Sequence, residues 1–373
     1  MALKFHSLKV VNVKKETADA VSITLEVPDE LKETFLYKPG QYLTVQVIID
    51  GQKFRRAYSL SSSPVTDQHL TITTKRVDKG IVSNYLNDTI KPGDELEVMP
   101  PLGAFVPKLD PLNEKNYIFF SGGSGITPIM SIMKTVLKTE PLSKVTLFYG
   151  NRNAESIIFH QELMKFKEEH GDRINIVHTL DEYSDDWEGY KGRMDREKAN
   201  YLLNKYCGTS WANADYYICG PAPMMREVEL ALQGKLVRKE QIHREHFTSN
   251  LLETDVADKI TEAAGTSASE ATPAAGSGEL SFPVRAKIIL DGNEYEVEIP
   301  ETGTVLEAAI DADIDPPFAC QIGACSTCRA KLREGKVSMD EREALTDEEI
   351  EEGYILTCQS HPLTNTLIVD YDG

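Results

Sequence analysis

The chain has 373 residues, a length that predicts two or three domains. Its 59 Asp and Glu residues outnumber its 40 Lys and Arg residues, and the net charge of −19 argues against a nucleic-acid partner, because phosphate binding needs a cationic surface. No run of about 18 apolar residues exists, and the first residues lack the apolar core of a secretory signal. We therefore expect no membrane span and a cytoplasmic location.

The first segment, residues 1–110, has the pattern of a small antiparallel barrel. Apolar and polar side chains alternate in short stretches that Pro-Gly pairs interrupt, at residues 21–27, 42–49, 70–75 and 95–98. A period of two residues is typical of strands that bury one face. We predict an antiparallel β-barrel domain here.

Residues 111–247 alternate short apolar runs with helical patterns. The apolar runs lie at residues 117–120, 145–149, 174–177 and 216–219. Apolar residues at helical spacing follow the first two runs, from Met130 to Leu137 and from Ile158 to Phe166. Alternating strands and helices predict an α/β domain with a parallel sheet and right-handed crossovers.

Two further segments complete the chain. Residues 248–280 are rich in Ala, Ser, Thr and Gly and predict a flexible linker, with a weak surface helix over Glu253–Ala264 as the alternative. Residues 281–373 begin with two apolar strands around Asp291-Gly292-Asn293, which is a hairpin pattern. A predicted helix over residues 305–312 follows.

Four of the six cysteines lie in this last segment. Cys320-x4-Cys325-x2-Cys328 is followed, after 29 residues, by Cys358. This spacing matches plant-type [2Fe–2S] ferredoxins, in which one loop supplies three thiolates and a distant segment supplies the fourth. A structural zinc site is the alternative, although such sites usually show two CxxC-like pairs and this segment has one. We predict a [2Fe–2S] cluster on these four thiols and an inert thiol at Cys207.

The stretch Arg55-Arg56-Ala57-Tyr58-Ser59 resembles the R-x-Y-S flavin motif of the ferredoxin–NADP⁺ reductase superfamily. The resemblance implies that Arg56 binds the flavin pyrophosphate, that Tyr58 stacks on the isoalloxazine ring and that Ser59 acts catalytically by hydrogen bonding near flavin N5. The resemblance also implies that Ala57, between Arg56 and Tyr58, contacts the flavin cofactor. Without the resemblance, the stretch would indicate a strand with one buried tyrosine.

A second stretch supports a bound flavin. Lys75-Arg76-Val77 and Gly80-Ile81-Val82-Ser83 are similar to the superfamily's G-x-x-S helix start, whose N-terminus meets the pyrophosphate. The resemblance implies cofactor contacts from Lys75, Gly80, Val82 and Ser83, and FAD rather than FMN.

Two glycine-containing turns indicate a nicotinamide site. An apolar run passes into the sequence SGGSGITP at residues 121–128, a strand–turn–helix start that can cradle phosphate and that looks like the superfamily's G-x-G-I-T-P turn. Cys219-Gly220-Pro221 with Met224 resembles its C-G-P motif. The resemblance implies that catalytic Thr127 lies near the nicotinamide–flavin junction and catalytic Cys219 beside the nicotinamide, with further contacts from Gly123, Ser124, Gly125, Pro128, Gly220, Pro221 and Met224. A buried core thiol is the alternative for Cys219.

Two other positions bear on the cofactors. Arg152 follows the second strand of the predicted parallel sheet, where an arginine can pair with a 2′-phosphate, so the sequence favours NADPH, with NADH possible. An ordinary surface arginine is the alternative. Phe247 ends the α/β segment, and in related enzymes an aromatic residue at this end lies near the flavin; core packing is the alternative.

The order of the three segments resembles the reductase components of phenylacetyl-CoA epoxidases and of other multicomponent monooxygenases, over the whole chain. Tyr149-Gly-Asn-Arg152 and Gly353-Tyr-Ile-Leu-Thr-Cys358-Gln359 are among the resembling stretches. The resemblance implies a multidomain fold ending in an α+β β-grasp ferredoxin domain. It also implies an oxidoreductase that passes electrons from NADPH through FAD and the cluster to a di-iron oxygenase partner. The reductase of a steroid or aromatic hydroxylase, or a non-catalytic redox sensor, is the alternative.

The net charge is unevenly distributed along the chain. Residues 1–247 carry a net charge of −1, residues 248–280 carry −5 and residues 281–373 carry −13. We predict that the ferredoxin segment meets a basic patch on an oxygenase and that salt slows electron delivery. A solvated helical face over residues 340–352 is the alternative explanation of the charge.

Overall fold

The computed structural model describes residues 4–247, 280–342 and 344–373. The chain forms two compact units, of which one is Phe5–Phe247 and the other contains the described residues from Leu280 to Gly373. The predicted linker over 248–280, with its alternative helix at Glu253–Ala264, lies outside the described residues apart from Leu280. Within the described ranges, no helix is both long enough and apolar enough to cross a lipid bilayer.

The first part of the Phe5–Phe247 unit is an antiparallel barrel. Its strands are β1 (His6–Thr17), β2 (Ala20–Glu26), β3 (Tyr42–Ile49), β4 (Gln52–Ser59), β5 (Leu70–Lys75) and β6 (Glu95–Val98). They pair in the order β4-β3-β6-β1-β2-β5, and a single bridge between Leu60 and Ile72 joins the two ends of the sheet. Alternate side chains of β2, namely Val21, Ile23 and Leu25, point into the buried core.

A short helix follows the fifth strand of the barrel. This helix, α1 (Ile81–Asp88), buries Val82 and Leu86 against the barrel core. Arg76 Nη1 donates a hydrogen bond to Asp88 Oδ2 at 2.7 Å. The ion pair ties the last residue of the helix to the residue that follows β5.

The second part of the same unit is a parallel sheet with helices on both faces. Its strands are β7 (Asn116–Gly122), β8 (Lys144–Asn151), β9 (Ile174–Leu180), β10 (Tyr190–Lys191), β11 (Asp215–Cys219) and β12 (Ile242–Glu245). The helices are α2 (Ile126–Thr139), α3 (His160–His170), α4 (Arg196–Cys207) and α5 (Ala222–Gly234). Because strand side chains alternate, Phe119 packs with α2 and α3, whereas Phe120 packs with α4 and α5.

The strand order places a crevice at the centre of this sheet. The strands pair in the order β10-β9-β8-β7-β11-β12, so strands after β7 are added first on one side of it and then, from β11, on the other. Cys219, the last residue of β11, lies opposite Ser121 of β7. Ligands of open parallel sheets bind at the carboxyl ends of strands where the order reverses. The sheet therefore brings both predicted nicotinamide turns to its ligand-binding edge.

The second unit is an α+β fold. Its elements are β13 (Val284–Leu290), β14 (Asn293–Ile299), α6 (Val305–Asp311), β15 (Arg329–Glu334), β16 (Val337–Met339), α7 (Asp347–Glu351), β17 (Tyr354–Leu356), β18 (Ser360–Pro362) and β19 (Thr366–Asp370). A mixed sheet has the order β14-β13-β19-β15-β17, and β16 pairs with β18. Val305, Ala308 and Ala309 of α6 pack into the core formed with the sheet.

The predicted fold class is confirmed in all three parts, and the domain boundaries at residues 110, 247 and 280 stay predictions. The first strand was not predicted, because register shifts between Val10 and Asn12 and between Lys15 and Thr17 interrupt its alternation. Helix α3 begins at His160, two residues later than the pattern indicated, since the residue before it has a left-handed φ of 63°. Strand β12 was also missed.

Candidate functional site

The two predicted nicotinamide turns touch each other at the carboxyl ends of β7 and β11. A Cβ atom on Gly125 would lie 2.0 Å from the carbonyl oxygen of Cys219, and a Cβ atom on Gly122 would lie 2.5 Å from Pro221 Cδ. Neither position has room for a side chain. The turns are therefore held together by glycine backbone, and the start of α2 lies at their junction.

Met224 covers the same pair of turns from helix α5. A Cβ atom on Gly220 would lie 2.7 Å from Met224 Cε, and a Cβ atom on Gly122 would lie 2.9 Å from Met224 Sδ. All the predicted residues of the C-G-P motif thus adjoin the glycine-rich turn, and their contacts with a nicotinamide stay predictions.

Cys219 is fully buried at this junction, and burial raises the pKa of its thiol well above the ordinary value. The thiol therefore stays protonated at working pH. Glu245 of β12 lies opposite Cys219 in the sheet and raises the same pKa further. Sequence reasoning did not identify Glu245 as a site residue, since its proximity depends on the pairing of two strands far apart in the chain.

Two other polar side chains lie at the start of this crevice. Ser121 is fully buried, and its hydroxyl has no hydrogen-bond partner among the described residues. Thr127 is buried in the first turn of α2, where its hydroxyl donates to the carbonyl oxygen of Ser124 at 3.1 Å. Pro128 is buried beside it. A buried hydroxyl without a partner is costly, which fits a position where a ligand contributes the missing hydrogen bond.

Basic side chains converge on the glycine-rich turn from both parts of the unit. Lys75, at the end of β5, places its Nζ 3.6 Å from the position of a Cβ atom on Gly123. Burial and, next, the positive charge of Arg152 lower the pKa of Lys75. Arg152 itself is exposed directly after β8. Two neighbouring cations at a glycine turn and a helix start form an environment suited to a phosphate group.

The two adjacent arginines of the flavin motif, both on strand β4, have different environments. Arg55 is buried and donates from Nε to Gln46 Oε1 at 2.8 Å. Arg56 is half-buried, and its Nη1 donates to the carbonyl oxygen of Arg55 at 2.7 Å. The strand register therefore leaves Arg56 as the less buried arginine and gives Arg55 a structural hydrogen bond.

The rest of the flavin motif is packed against the barrel. Tyr58 contacts the barrel core, and burial raises its pKa to about 12. Ser59 is buried, and Ala57 is half-buried. Phe247, at the other end of the unit, packs against the core that contains Cys219.

The helix start at Gly80 has the close packing that its motif requires. A Cβ atom on Gly80 would lie 2.6 Å from Ser83 Oγ and 2.8 Å from Val77 Cβ. Ser83 is buried, and its Oγ accepts a hydrogen bond from the Val77 backbone N–H at 3.1 Å. Ser83 thus stabilises the turn before α1, next to Val82 in the barrel core.

The four predicted ligand cysteines meet in one buried place in the ferredoxin domain. Cys320, Cys325, Cys328 and Cys358 are all at most 8% exposed. The Sγ atoms of Cys328 and Cys358 lie 3.4 Å apart. The neighbouring Cys320 thiol and burial raise the pKa of Cys325 well above its ordinary value. Four soft thiol donors enclosed together suit an iron–sulfur cluster, so the donor set fits the predicted group.

A tight loop shapes the three-cysteine segment. Gly323 has a left-handed φ of 74°, and a Cβ atom there would lie 2.8 Å from Glu341 Cβ. Gln359 Nε2 donates to the carbonyl oxygens of Gln321 at 3.3 Å and of Cys358 at 2.9 Å. The loop is therefore tied to the distant fourth cysteine by Gln359, to which the sequence analysis assigned no role of its own.

Comparisons with known proteins identify the domains that contain these three groups of residues. The profile of an oxidoreductase FAD-binding domain matches residues 7–106, that of an oxidoreductase NAD-binding domain matches residues 119–229, and that of a 2Fe-2S iron-sulfur cluster binding domain matches residues 288–363. A component of 1,2-phenylacetyl-CoA epoxidase from Escherichia coli K12 is 34% identical over 373 residues, which are 99% of this chain and 98% of that protein. The chain belongs to the family of oxygenase reductase components.

Further relatives define the breadth of the oxygenase reductase family. The ferredoxin reductase component of 3-ketosteroid-9-alpha-monooxygenase from Rhodococcus rhodochrous is 36% identical over 367 residues, 98% of this chain and 96% of that protein. The solved structure of phthalate dioxygenase reductase is 24% identical, with a TM-score of 0.56 and 98% coverage of both chains, which shows the shared fold. This oxygenase reductase is an oxidoreductase with FAD, NAD(P)H and [2Fe–2S] domains.

Proposed function

We propose that the protein passes electrons from NADPH, through FAD and a [2Fe–2S] cluster, to the di-iron oxygenase of a phenylacetyl-CoA ring epoxidase in the cytoplasm. The observation that carries this proposal is the direct contact of the glycine-rich and Cys-Gly-Pro turns in a chain that also encloses four cysteines. The 34% identity to the phenylacetyl-CoA epoxidase component, over almost the whole chain, supports this choice of oxygenase.

The residues of the proposed hydride site bind the nicotinamide and the flavin and orient them. When bound, FAD accepts two electrons as a hydride, and the cluster carries one electron at a time. Thr127 and buried Cys219 border the position of the nicotinamide ring, and Ser59 offers a hydroxyl at the flavin end. Because the Cys219 thiol is protonated and enclosed, it acts by packing and by excluding water rather than by acid–base chemistry.

The phosphate groups have their own set of residues. Arg56, Tyr58 and the α1 start at Gly80 and Ser83 hold the flavin, and Ser124 and Gly125 open α2 toward the nucleotide. Lys75 and Arg152 supply two neighbouring positive charges. This pair favours NADPH over NADH, because the 2′-phosphate brings the extra negative charge that exposed Arg152 can neutralise.

The ferredoxin domain delivers the electrons. Cys320, Cys325, Cys328 and Cys358 are the proposed cluster ligands, and residues 248–280 are the proposed linker. Residues 281–373 have 20 acidic and 7 basic side chains, a net charge of −13. We infer that this surface meets a basic patch on the oxygenase, so that added salt slows electron delivery.

Two acceptors test the proposed electron path. The purified protein should contain flavin and cluster, and it should oxidise NADPH with ferricyanide, which can take electrons from flavin, and with cytochrome c, a one-electron protein acceptor. Failure to oxidise NADPH or NADH with both cofactors bound would instead support a redox sensor. Absence of flavin from the purified protein would overturn the proposal.

The oxygenase partner is tested by reconstitution. NADPH-driven epoxidation of phenylacetyl-CoA by a purified di-iron epoxidase should depend on this reductase and should slow as the salt concentration rises. The 36% identity to the 3-ketosteroid monooxygenase reductase favours a second candidate, a steroid hydroxylase. Turnover with that oxygenase and none with the epoxidase would assign the reductase to the steroid system.

A further inference from the structure

Three buried residues of the ferredoxin domain form a directed chain of hydrogen bonds. The Tyr371 hydroxyl donates to Thr357 Oγ1 at 2.9 Å, and Thr357 Oγ1 donates to the carbonyl oxygen of Cys328 at 2.9 Å. Thr357 is 0% exposed. A threonine hydroxyl has one proton, and Thr357 uses it in the hydrogen bond to the Cys328 carbonyl oxygen. The hydroxyl oxygen of Thr357 can therefore only accept the hydrogen bond from Tyr371. The donor-to-acceptor direction of these hydrogen bonds therefore runs from Tyr371 toward the cysteine loop.

Thr357 connects two segments that are distant in sequence. Its backbone N–H donates to the same Cys328 carbonyl oxygen at 3.3 Å, so residue 357 contacts that oxygen through both its backbone and its side chain. The next residue is Cys358, whose Sγ lies 3.4 Å from Cys328 Sγ. A small movement of Thr357 would therefore change the separation of two proposed cluster ligands.

Tyr371 is itself held firmly by the fold. It directly follows β19, its backbone N–H donates to the carbonyl oxygen of Ile289 at 2.9 Å, and its ring lies in the core with Val369 and Ile355. Burial raises the pKa of the Tyr371 hydroxyl, so it remains a hydrogen-bond donor at any working pH. The outer end of the chain is thus fixed in position and in protonation.

We propose that Tyr371 is a positioning residue that sets the reduction potential of the cluster through Thr357, a role that rests on the proposed ligand set. Buried hydrogen bonds in series polarise one another, and hydrogen bonding around the ligands tunes the potential of iron–sulfur clusters. Reduction adds negative charge, which donors directed toward the ligand segment stabilise. Removing the Tyr371 hydroxyl weakens this effect, so the cluster becomes harder to reduce.

The test measures the midpoint potential of the cluster in the full-length holoprotein. Tyr371→Phe is expected to shift the potential to a more negative value and to change the electron paramagnetic resonance signal of the reduced cluster. Tyr354→Phe is the matched control, because its hydroxyl donates to the exposed carbonyl of Gly373 at 3.2 Å in the same domain. This control is expected to keep the wild-type potential.

Substitutions of Thr357 test the direction of the chain. Thr357→Ser keeps the hydroxyl and should keep a potential near that of wild type, whereas Thr357→Val removes it and should shift the potential further than Tyr371→Phe. In the Thr357→Val background, Tyr371→Phe should have no additional effect, because the hydrogen bond from Tyr371 to the Thr357 hydroxyl is already gone.

Several results would overturn this role. One is a cluster midpoint potential that is the same in Tyr371→Phe and Tyr354→Phe. Another is a shift in the Thr357→Val, Tyr371→Phe double variant that equals the sum of the two single shifts. Should Tyr371→Phe fail to retain its cluster, equal potentials for Thr357→Ser and Thr357→Val would reject the role and unequal potentials would support it. A wild-type protein without [2Fe–2S] absorbance would instead refute the proposed ligand set.

Discussion

The nicotinamide turns and the cysteine loop are built in opposite ways. At the turns, Gly122 and Gly125 leave out side-chain atoms so that two backbone segments can touch. At the loop, four side chains add sulfur atoms to one enclosed place. The first arrangement is vulnerable to the addition of a methyl group, and the second to the loss of a sulfur. The two sites can therefore be broken separately by single substitutions.

The largest expected effect is that of Cys325→Ala. Loss of one of four thiolates should abolish the [2Fe–2S] absorbance and the reduction of cytochrome c, because the ferredoxin domain then carries no electron acceptor. NADPH oxidation with ferricyanide should stay within about twofold of wild type, since the proposed hydride site lies in the other unit. Visible absorbance and the two acceptor assays measure these outcomes.

Cys207→Ala is the matched control for this prediction. Cys207 is also a buried thiol, and burial raises its pKa to about 11, but it lies in the parallel-sheet core rather than in the loop. The control should retain the cluster and both activities. A cluster that survives Cys325→Ala, or disappears with Cys207→Ala, would contradict the proposed ligand set.

Gly125→Ala should produce the converse result. The new methyl group would lie 2.0 Å from the Cys219 carbonyl oxygen, so the turns must separate. Misplacement by about 1 Å can cost about 100-fold in rate, and a loss of NADPH oxidation of that size is expected with the cluster intact. Gly234→Ala, where no atom lies within 4 Å of the added Cβ, should keep wild-type rates. Equal rates for both variants would show that the turns need not touch.

The unit that contains the nicotinamide turns also holds His178, a histidine with buried ring nitrogens, which should make the stability of the unit depend on pH. Burial lowers the pKa of His178 to about 4, and its ring nitrogens have no hydrogen-bond partner among the described residues. The unfolded state, with a pKa of about 6.5, binds a proton first as the pH falls, so stability is lost between about pH 6.5 and about pH 4.

The expected loss at this histidine is about 2 kcal/mol between pH 7.5 and pH 5. Urea unfolding followed by flavin fluorescence measures it in the Phe5–Phe247 unit. Between pH 7.5 and pH 5, the free energy of unfolding of His178→Gln should fall by about 2 kcal/mol less than that of wild type. If the variant and wild type show the same pH dependence, the pKa of His178 is not lowered in the folded protein.

The smallest expected effect is that of Arg152→Ala. Removing the proposed contact with the 2′-phosphate, worth about 1.4 kcal/mol, should raise the KM for NADPH about tenfold and leave the KM for NADH unchanged. Lys115→Ala is the control, because Lys115 precedes β7 at the opposite edge of the sheet and pairs with Asp215. A parallel rise in KM for both nucleotides would exclude a 2′-phosphate role for Arg152.

The sequence was most informative where chemistry imposes a spacing. The four cysteines and the alternation of β3, β5 and β6 are local patterns, and the fold that they predicted is confirmed. Contacts between distant segments were not predictable. The opposition of Glu245 to Cys219 and the hydrogen bond from Tyr371 to Thr357 exist only after strands have paired. The roles predicted for individual site residues stay predictions that the variants above address.

The incomplete closure of the barrel has a consequence for the protein's behaviour without cofactor. Strand β4 pairs along its length with β3, and the bridge to β5 is made by Leu60, the residue after β4, with Ile72. Exposed strand edges invite pairing with other chains and lead to aggregation. The predicted flavin motif lies on this strand, so we expect a bound cofactor to stabilise it. We therefore expect flavin removal to cause self-association, which light scattering would detect.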